Sequence, residues 1–156
     1  MVSDSPYLLD TNILLRLSNR RDPNHGMVKA ALDALTEHGA DICCTPQNVS
    51  EFWNVCTRPR DRNGFGLSIA ETDEALWGIE RTVTVLADSD QIYRVWRMLV
   101  VRHQVRGVQV HDARLAAAMQ VHGISHILTL NNPDFARYSS IFVVHPREIS
   151  ASRSDQ

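Results

Sequence analysis

Short apolar runs, each closed by polar or acidic residues and followed by a helix-forming stretch, recur along this chain. Tyr7-Leu8-Leu9 ends at Asp10-Thr11-Asn12, and Ile42-Cys43-Cys44 ends at Thr45-Pro46. Val108–Val110 ends at His111-Asp112, and His126–Leu130 runs into Asn131-Asn132-Pro133-Asp134. Ile141–Val144 is a further run, and Val83–Leu86 a shorter one. Brief runs without polar alternation suit strands buried on both faces, and such strands separated by helices build parallel sheets covered on both sides. The expected fold is therefore α/β, a three-layer α/β/α sandwich with a mostly parallel central sheet.

The intervening stretches carry their own start and stop signals. Asp10, Thr11 and Asn12 all cap helices well, so the first strand hands directly to a helix. A second helix is expected from His25 to His38, stopped by Gly39. Thr45 should cap a third, with Pro46 at its first position, and Val49, Phe52, Trp53 and Cys56 follow at the spacing of one buried face. Ser68 with Glu71 three residues later reads as a capping box. Asp90–His103 is an amphipathic helix, and an Ala-rich helix should start at His111-Asp112 and end at Gly123. Trp53, Trp77 and Trp96 fall at helical positions and are expected in the core.

A length of 156 residues allows one domain, taken as residues 1–149, with the Ser/Arg-rich residues 150–156 as a disordered tail. No apolar run is long enough to span a bilayer, and no basic segment leads into an apolar one at the N-terminus, so a cytoplasmic protein without membrane contact is expected. A net charge of −2 lacks the basic excess of many nucleic-acid binders, although fifteen of the sixteen Lys and Arg residues are Arg. Arg58, Arg60 and Arg62, in a Gly/Pro-bearing loop from Arg58 to Leu67, are the best candidates for phosphate contacts; a plain solvated loop is the alternative. The cysteines Cys43, Cys44 and Cys56 show no metal or disulfide spacing and read as small buried hydrophobes. Neither a P-loop nor a GxGxxG is present, and Ser18, Ser50 and Cys56 have no evident His partner for covalent chemistry.

The acids carry the functional information. In parallel α/β folds ligands bind beyond the carboxyl ends of the strands. Asp10 and Asp112 follow strand-like runs, Asp134 follows another, and Glu51 lies in the second turn of the helix after Ile42–Cys44. Singly, each has a plain reading: Asp10 and Asp112 as helix caps, Glu51 as a solvated helix residue, Asp134 as a turn residue beside Asn132-Pro133. Together they would meet in one cleft. Crowded carboxylates repel and raise one another's pKa values, and a hard divalent ion relieves that. An all-oxygen donor set favours Mg²⁺ or Mn²⁺.

Tyr7-Leu-Leu-Asp-Thr-Asn12, Asn48-Val-Ser-Glu-Phe-Trp53, His111-Asp-Ala-Arg-Leu-Ala116 and Ile127-Leu-Thr-Leu-Asn-Asn-Pro-Asp-Phe135 resemble the four acidic blocks of PIN-domain proteins, in the same order. The Arg58-Pro59…Asn63-Gly-Phe-Gly66 stretch is similar to VapC-like bacterial toxins. The resemblance implies metal ligands and catalytic residues at Asp10, Glu51, Asp112 and, more weakly, Asp134. It implies that Thr11, Asn12, Thr129 and Asn131 orient ligands or water. Many relatives have an acid where this chain has Asn131, which leaves one charge fewer for a second ion. The implied activity is metal-dependent endoribonuclease, the toxin of a toxin–antitoxin pair, with RNA as substrate, a cognate antitoxin as partner and a homodimer as assembly. One alternative is a PIN module that only binds. Another is a phosphatase of the haloacid-dehalogenase type, which requires a second Asp where this chain has Asn12. His111-Asp112 alone, without further His ligands, does not make a metal phosphohydrolase, and His111 is expected to be structural.

Overall fold

The structure is a computed structural model that describes residues 4–151. Five strands, β1 (Tyr7–Leu9), β2 (Ile42–Cys44), β3 (Thr84–Val85), β4 (His126–Leu128) and β5 (Phe142–Val144), form one sheet in the order β3-β2-β1-β4-β5. Every pairing is parallel, with Tyr7 opposite both Ile42 and His126.

Seven helices cover the sheet: α1 (Thr11–Ser18), α2 (His25–Glu37), α3 (Pro46–Thr57), α4 (Ile69–Glu80), α5 (Asp90–Arg102), α6 (Gln109–His122) and α7 (Pro146–Ala151). Successive strand residues point to opposite faces, and that sorts the core into two layers. Leu9, Cys44 and Leu128 pack with α1, α2, α3, α4 and α7 through Ile13, Leu35, Phe52, Ile79 and Ile149. Leu8, Cys43 and Ile127 pack against α5 and α6 through Ile92, Leu99 and Met119. The small buried side chains Ala113, Ala116 and Ala117 let α6 lie close to the sheet. The three-layer parallel architecture read from the sequence is what the chain adopts.

The caps are largely those the sequence announces. Asp10 caps α1, and Ser68 and Glu71 close a reciprocal capping box on α4. On α3 the Thr45 hydroxyl accepts the Asn48 amide while the Asn48 side chain accepts the Thr45 amide. Gly123 ends α6 at φ +69°, left-handed backbone suited to a residue without Cβ.

Several expectations need correction. Val108–Val110 is not a strand. Gly107 turns the chain at φ +58°, the Val110 and His111 amides bond back to Gly107 and Val108, and α6 is already under way at Gln109. With no strand between them, α5 and α6 form a hairpin that packs as one unit on a single face. Asp112 is thus the fourth residue of α6 and not its cap, which is Val108. Trp77 is 62% exposed with the Arg81 guanidinium 5.1 Å above its ring, so it is not in the core. Trp53 and Trp96 are half-buried, the latter donating its indole N–H to the Val110 carbonyl. Helix α7 takes in residues 150 and 151 of the stretch expected as tail, and residues 152–156 lie outside the described ones. The three cysteines are buried, and burial raises Cys43 to about 12 and Cys44 and Cys56 to about 11. Among the described residues no helix is long and apolar enough to cross a membrane.

Candidate metal centre

The sheet changes its direction of growth at β1, with β2 and β3 on one side and β4 and β5 on the other. The carboxyl ends of β1 and β4 flank that switch point, where a crevice opens in folds of this kind. Asp10 leaves β1 into this crevice. Its Oδ1 accepts the Thr11 amide at 2.8 Å, and its Oδ2 accepts the Thr129 hydroxyl at 2.8 Å and the Asn12 amide at 3.4 Å. Helix cap and site residue are therefore the same side chain.

Thr129, fully buried just after β4, also accepts the Asn131 backbone amide at 3.0 Å and the Asn12 Nδ2 at 3.2 Å. Asn12 in turn accepts the Leu130 amide at 3.2 Å. This lattice locks the ends of β1 and β4 together. Asn131 joins it through its backbone; its exposed side chain makes no hydrogen bond among the described residues. Asn12, where a dehalogenase-type phosphatase needs an acid, is a structural amide here.

Glu51 approaches from α3. Its Oε2 accepts the Thr11 hydroxyl at 2.6 Å and its Oε1 accepts the Gln47 amide at 2.9 Å. Thr11 can donate to Glu51 because Asn48 Nδ2, at 3.1 Å, occupies its acceptor side. Asn48, the reciprocal partner in the α3 capping box, thereby also orients the threonine that holds Glu51. Gln47 donates a second bond, to the His111 carbonyl at 2.8 Å, tying α3 to α6. Sequence reasoning missed Gln47 and Asn48. Asn48 sits at the reciprocal position of a capping box, which was the available signal; Gln47 had none. The His111 ring is exposed, so only that residue's carbonyl takes part.

Asp112, on α6, and Asp134, in a 3₁₀ turn over Asn132–Phe135, complete the set. Neither side chain accepts a hydrogen bond among the described residues. Asp112 is pushed up to about 7, by burial first and then by the charges of Asp10, Asp134 and Glu51, against the opposing charge of Arg137. Asp10 is raised as well, chiefly by burial, then opposed by the Thr129 and Thr11 hydrogen bonds and reinforced by Glu51 and Asp134. All four acids thus share one electrostatic neighbourhood. They sense one another without yet converging: among the described residues, no three His, Cys, Asp or Glu side chains stand grouped tightly enough to hold an ion as placed. The donors are oxygens throughout, with no thiol or imidazole among them, and that chemistry fits a hard cation.

The arginine loop is braced from within. Arg58 donates to the Asn63 carbonyl at 3.0 Å and Arg60 to the Phe65 carbonyl at 3.3 Å, so both guanidinium groups brace their own loop. Gly64 is required there, because a Cβ would come within 1.9 Å of the Arg58 carbonyl oxygen. Arg62 is exposed; its backbone amide donates to the Pro59 carbonyl at 2.9 Å, and its side chain makes no hydrogen bond or ion pair among the described residues.

The raised Asp112 has a measurable consequence. Between the ordinary carboxylate range and about pH 7 the folded state holds a proton that the unfolded chain has released. Folding stability of the metal-free protein therefore falls as pH rises through that window. For a half-buried group the effect, discounted for solvent screening, is about 1–2 kcal/mol. Melts from pH 5 to 7.5 in chelator should show it, and Asp112→Asn should flatten the slope. Comparing the two proteins isolates Asp112 from His126, whose burial-lowered pKa acts in the opposite sense.

A family model described as PIN domain matches residues 7–141. No curated protein matches the sequence. Several solved structures share the fold. VapBC2 from Rickettsia felis, bound to a DNA fragment from its promoter, is 14% identical with a TM-score of 0.67, covering 89% of this chain and 97% of that one. A toxin–antitoxin complex from Klebsiella pneumoniae is 23% identical with a TM-score of 0.60, over 90% and 97%. The sarcin–ricin-loop-cleaving toxin VapC20 of Mycobacterium tuberculosis is 21% identical with a TM-score of 0.59, over 85% and 95%.

Proposed function

Because this chain belongs to the PIN-domain family, we propose that it is a metal-dependent endoribonuclease and the toxin of a toxin–antitoxin pair. The observation that carries the reading is Asp112, a half-buried carboxylate that accepts no hydrogen bond among the described residues and feels the charges of Asp10, Asp134 and Glu51 together. A fold that needed only helix caps would have no reason to gather these acids. The ribonuclease and antitoxin parts draw support from the similar structures, which include a toxin that cleaves the sarcin–ricin loop and a toxin–antitoxin complex.

Mg²⁺ or Mn²⁺ would be held by Asp10, Glu51 and Asp112, with Asp134 as a weaker fourth. Bound there, it supplies Lewis-acid stabilisation of phosphate charge and lowers the pKa of water. The chain's own residues do the rest. Thr129, Thr11 and Asn12 fix the rotamer of Asp10. Thr11 and Gln47 hold Glu51 as an acceptor, which would bind the ion or take the proton of the attacking water. That water attacks phosphorus in line with the leaving oxygen; the bond from phosphorus to that oxygen breaks, and the oxygen departs with the electron pair and takes a proton from solvent. Arg62 and Arg137, both exposed, are the side chains to meet the RNA backbone; Arg137 is the cation that acts on Asp112.

The antitoxin would fill the carboxylate crevice with a basic side chain. The homodimer would use α5, where exposed Tyr93, Met98 and Val101 lie among Arg94, Arg97 and Arg102, against α4 of the second copy, where exposed Trp77, with Arg81 over its ring, lies among Asp73, Glu74 and Glu80. Val101→Glu should convert a dimer to a monomer in size-exclusion chromatography with light scattering; an unchanged mass rejects this surface.

Cleavage of a fluorogenic RNA, compared with DNA and with a phosphate monoester, tests the activity. RNA should be cut in Mg²⁺ or Mn²⁺ and left intact in chelator. A folded, dimeric chain that binds RNA and never cuts it would be a binding module. In cells, induction of this chain alone should arrest growth.

A further inference from the structure

We infer that Gln47 is a positioning residue that sets Glu51 relative to Asp112, with Arg114 setting the orientation of its amide. The inference rests on the metal-dependent nuclease reading of the same crevice. Glu51 and Asp112 belong to opposite helical layers: α3 packs on one face of the sheet and α6 on the other. Sheet pairing fixes the strands, but nothing in it fixes how far apart two helices on opposite faces carry their side chains. Gln47 spans that gap with one amide group. It lies one turn before Glu51 on α3, so the i, i+4 spacing brings the two side chains together. One Nε2 proton goes to Glu51 Oε1 at 2.9 Å and the other to the carbonyl of His111 at 2.8 Å, one residue before Asp112.

The amide has a wrong way round. Reversed, its oxygen would face a carboxylate and a carbonyl, two acceptors, with both bonds lost. Arg114, also on α6, sits against Gln47 Oε1 at 3.4 Å and is itself steadied by Asp88 at 3.4 Å. A guanidinium can only donate, so it selects the orientation in which the oxygen faces it and both protons face Glu51 and α6. Asp88, Arg114, Gln47 and Glu51 form one chain of hydrogen bonds ending on the carboxylate. Partners of this kind, one shell out from a metal ligand, are typically worth 10–100-fold in metal affinity.

The plain competing reading is that Gln47 only ties two helices together. Mn²⁺ affinity of the RNA-free protein, by calorimetry, separates the two. Gln47→Ala should weaken Mn²⁺ binding by about 10–100-fold, with the metal-free melting temperature little changed and cleavage recovering as Mn²⁺ is raised to saturation. Arg114→Met keeps both Gln47 donors and removes only the selector; it should shift the affinity in the same direction by less. A lowered melting temperature with wild-type Mn²⁺ affinity in Gln47→Ala overturns the inference. If Gln47→Ala does not fold, unchanged affinity in Arg114→Met overturns it. A wild type that binds no Mn²⁺ and cuts no RNA overturns the nuclease reading itself, and this inference with it.

Discussion

Asp112→Asn should abolish metal-dependent RNA cleavage and, in the same protein, raise the melting temperature measured in chelator. The two effects have one cause. Removing a charge from the metal's donor set forfeits several kcal/mol of transition-state stabilisation, about a thousandfold or more in rate. Without metal, and above about pH 7 where Asp112 is ionised, that charge is a liability: it is half-buried, accepts no hydrogen bond among the described residues and is repelled by Asp10, Asp134 and Glu51. Like charges about 5 Å apart at an effective dielectric near 20 repel by roughly 3 kcal/mol before screening, and water reduces this to about 1–2 kcal/mol. In a domain of this size each kcal/mol moves the melting temperature by about 2–4 °C. Mn²⁺ at a hundredfold excess over its dissociation constant should stabilise the wild type by about 2.7 kcal/mol and Asp112→Asn far less. Near-normal cleavage by the mutant, in a preparation free of host nuclease, would remove Asp112 from the site.

Asp10→Asn should lose cleavage to a similar extent, about a thousandfold, yet without the gain in stability. Asp10 accepts three hydrogen bonds, from the Thr11 amide, the Thr129 hydroxyl and the Asn12 amide. Asparagine caps a helix as well as aspartate does, so the bond to Thr11 survives. The other oxygen, however, becomes an NH₂ facing Thr129 and Asn12, both of which donate to it in the wild type. A buried donor set against donors costs about 1–3 kcal/mol, which cancels or exceeds the relief of repulsion. The metal-free melting temperature should be unchanged or lower. If Asp10→Asn melts as high as Asp112→Asn, the hydrogen-bond lattice around Thr129 does not contribute as the geometry says it must.

Much of this was readable in advance because it is local. Buried strands announce themselves as apolar runs, and caps as Asp10, Thr45 and Ser68 just ahead of helical periodicity. Asp10 and Asp134 drew attention because they follow β1 and β4, and strand ends are where parallel sheets gather ligands. The failures came where local pattern is ambiguous or the partner is remote. Val108 and Val110 look like a strand, but Gly107 at φ +58° turns the chain and α6 begins at Gln109. Misplacing that start made Asp112 seem a cap. Trp77 sits in a helix whose buried residues are Thr72 and Ile79, one face only, and it falls off that face. Gln47 is an ordinary helix glutamine until His111 and Arg114 arrive beside it, 64 and 67 residues further along the chain. Arg58 and Arg60 each give a donor to a carbonyl of their own loop, a contact that a sequence does not show.

The order of the strands has a consequence for the moment of synthesis. Asp10 and Glu51 leave the ribosome early, together with β1 and β2, but Thr129, Asp112 and Asp134 belong to the α6–β4 region that follows much later. Until β4 docks, β1 lacks its second neighbour and Asp10 lacks the hydroxyl that orients it. A nascent chain therefore carries only half of its acids, and those in the wrong surroundings, while it is still threaded through the ribosome. The crevice shared by Asp10, Glu51, Asp112 and Asp134 is therefore assembled only once β4 has been made and has docked beside β1.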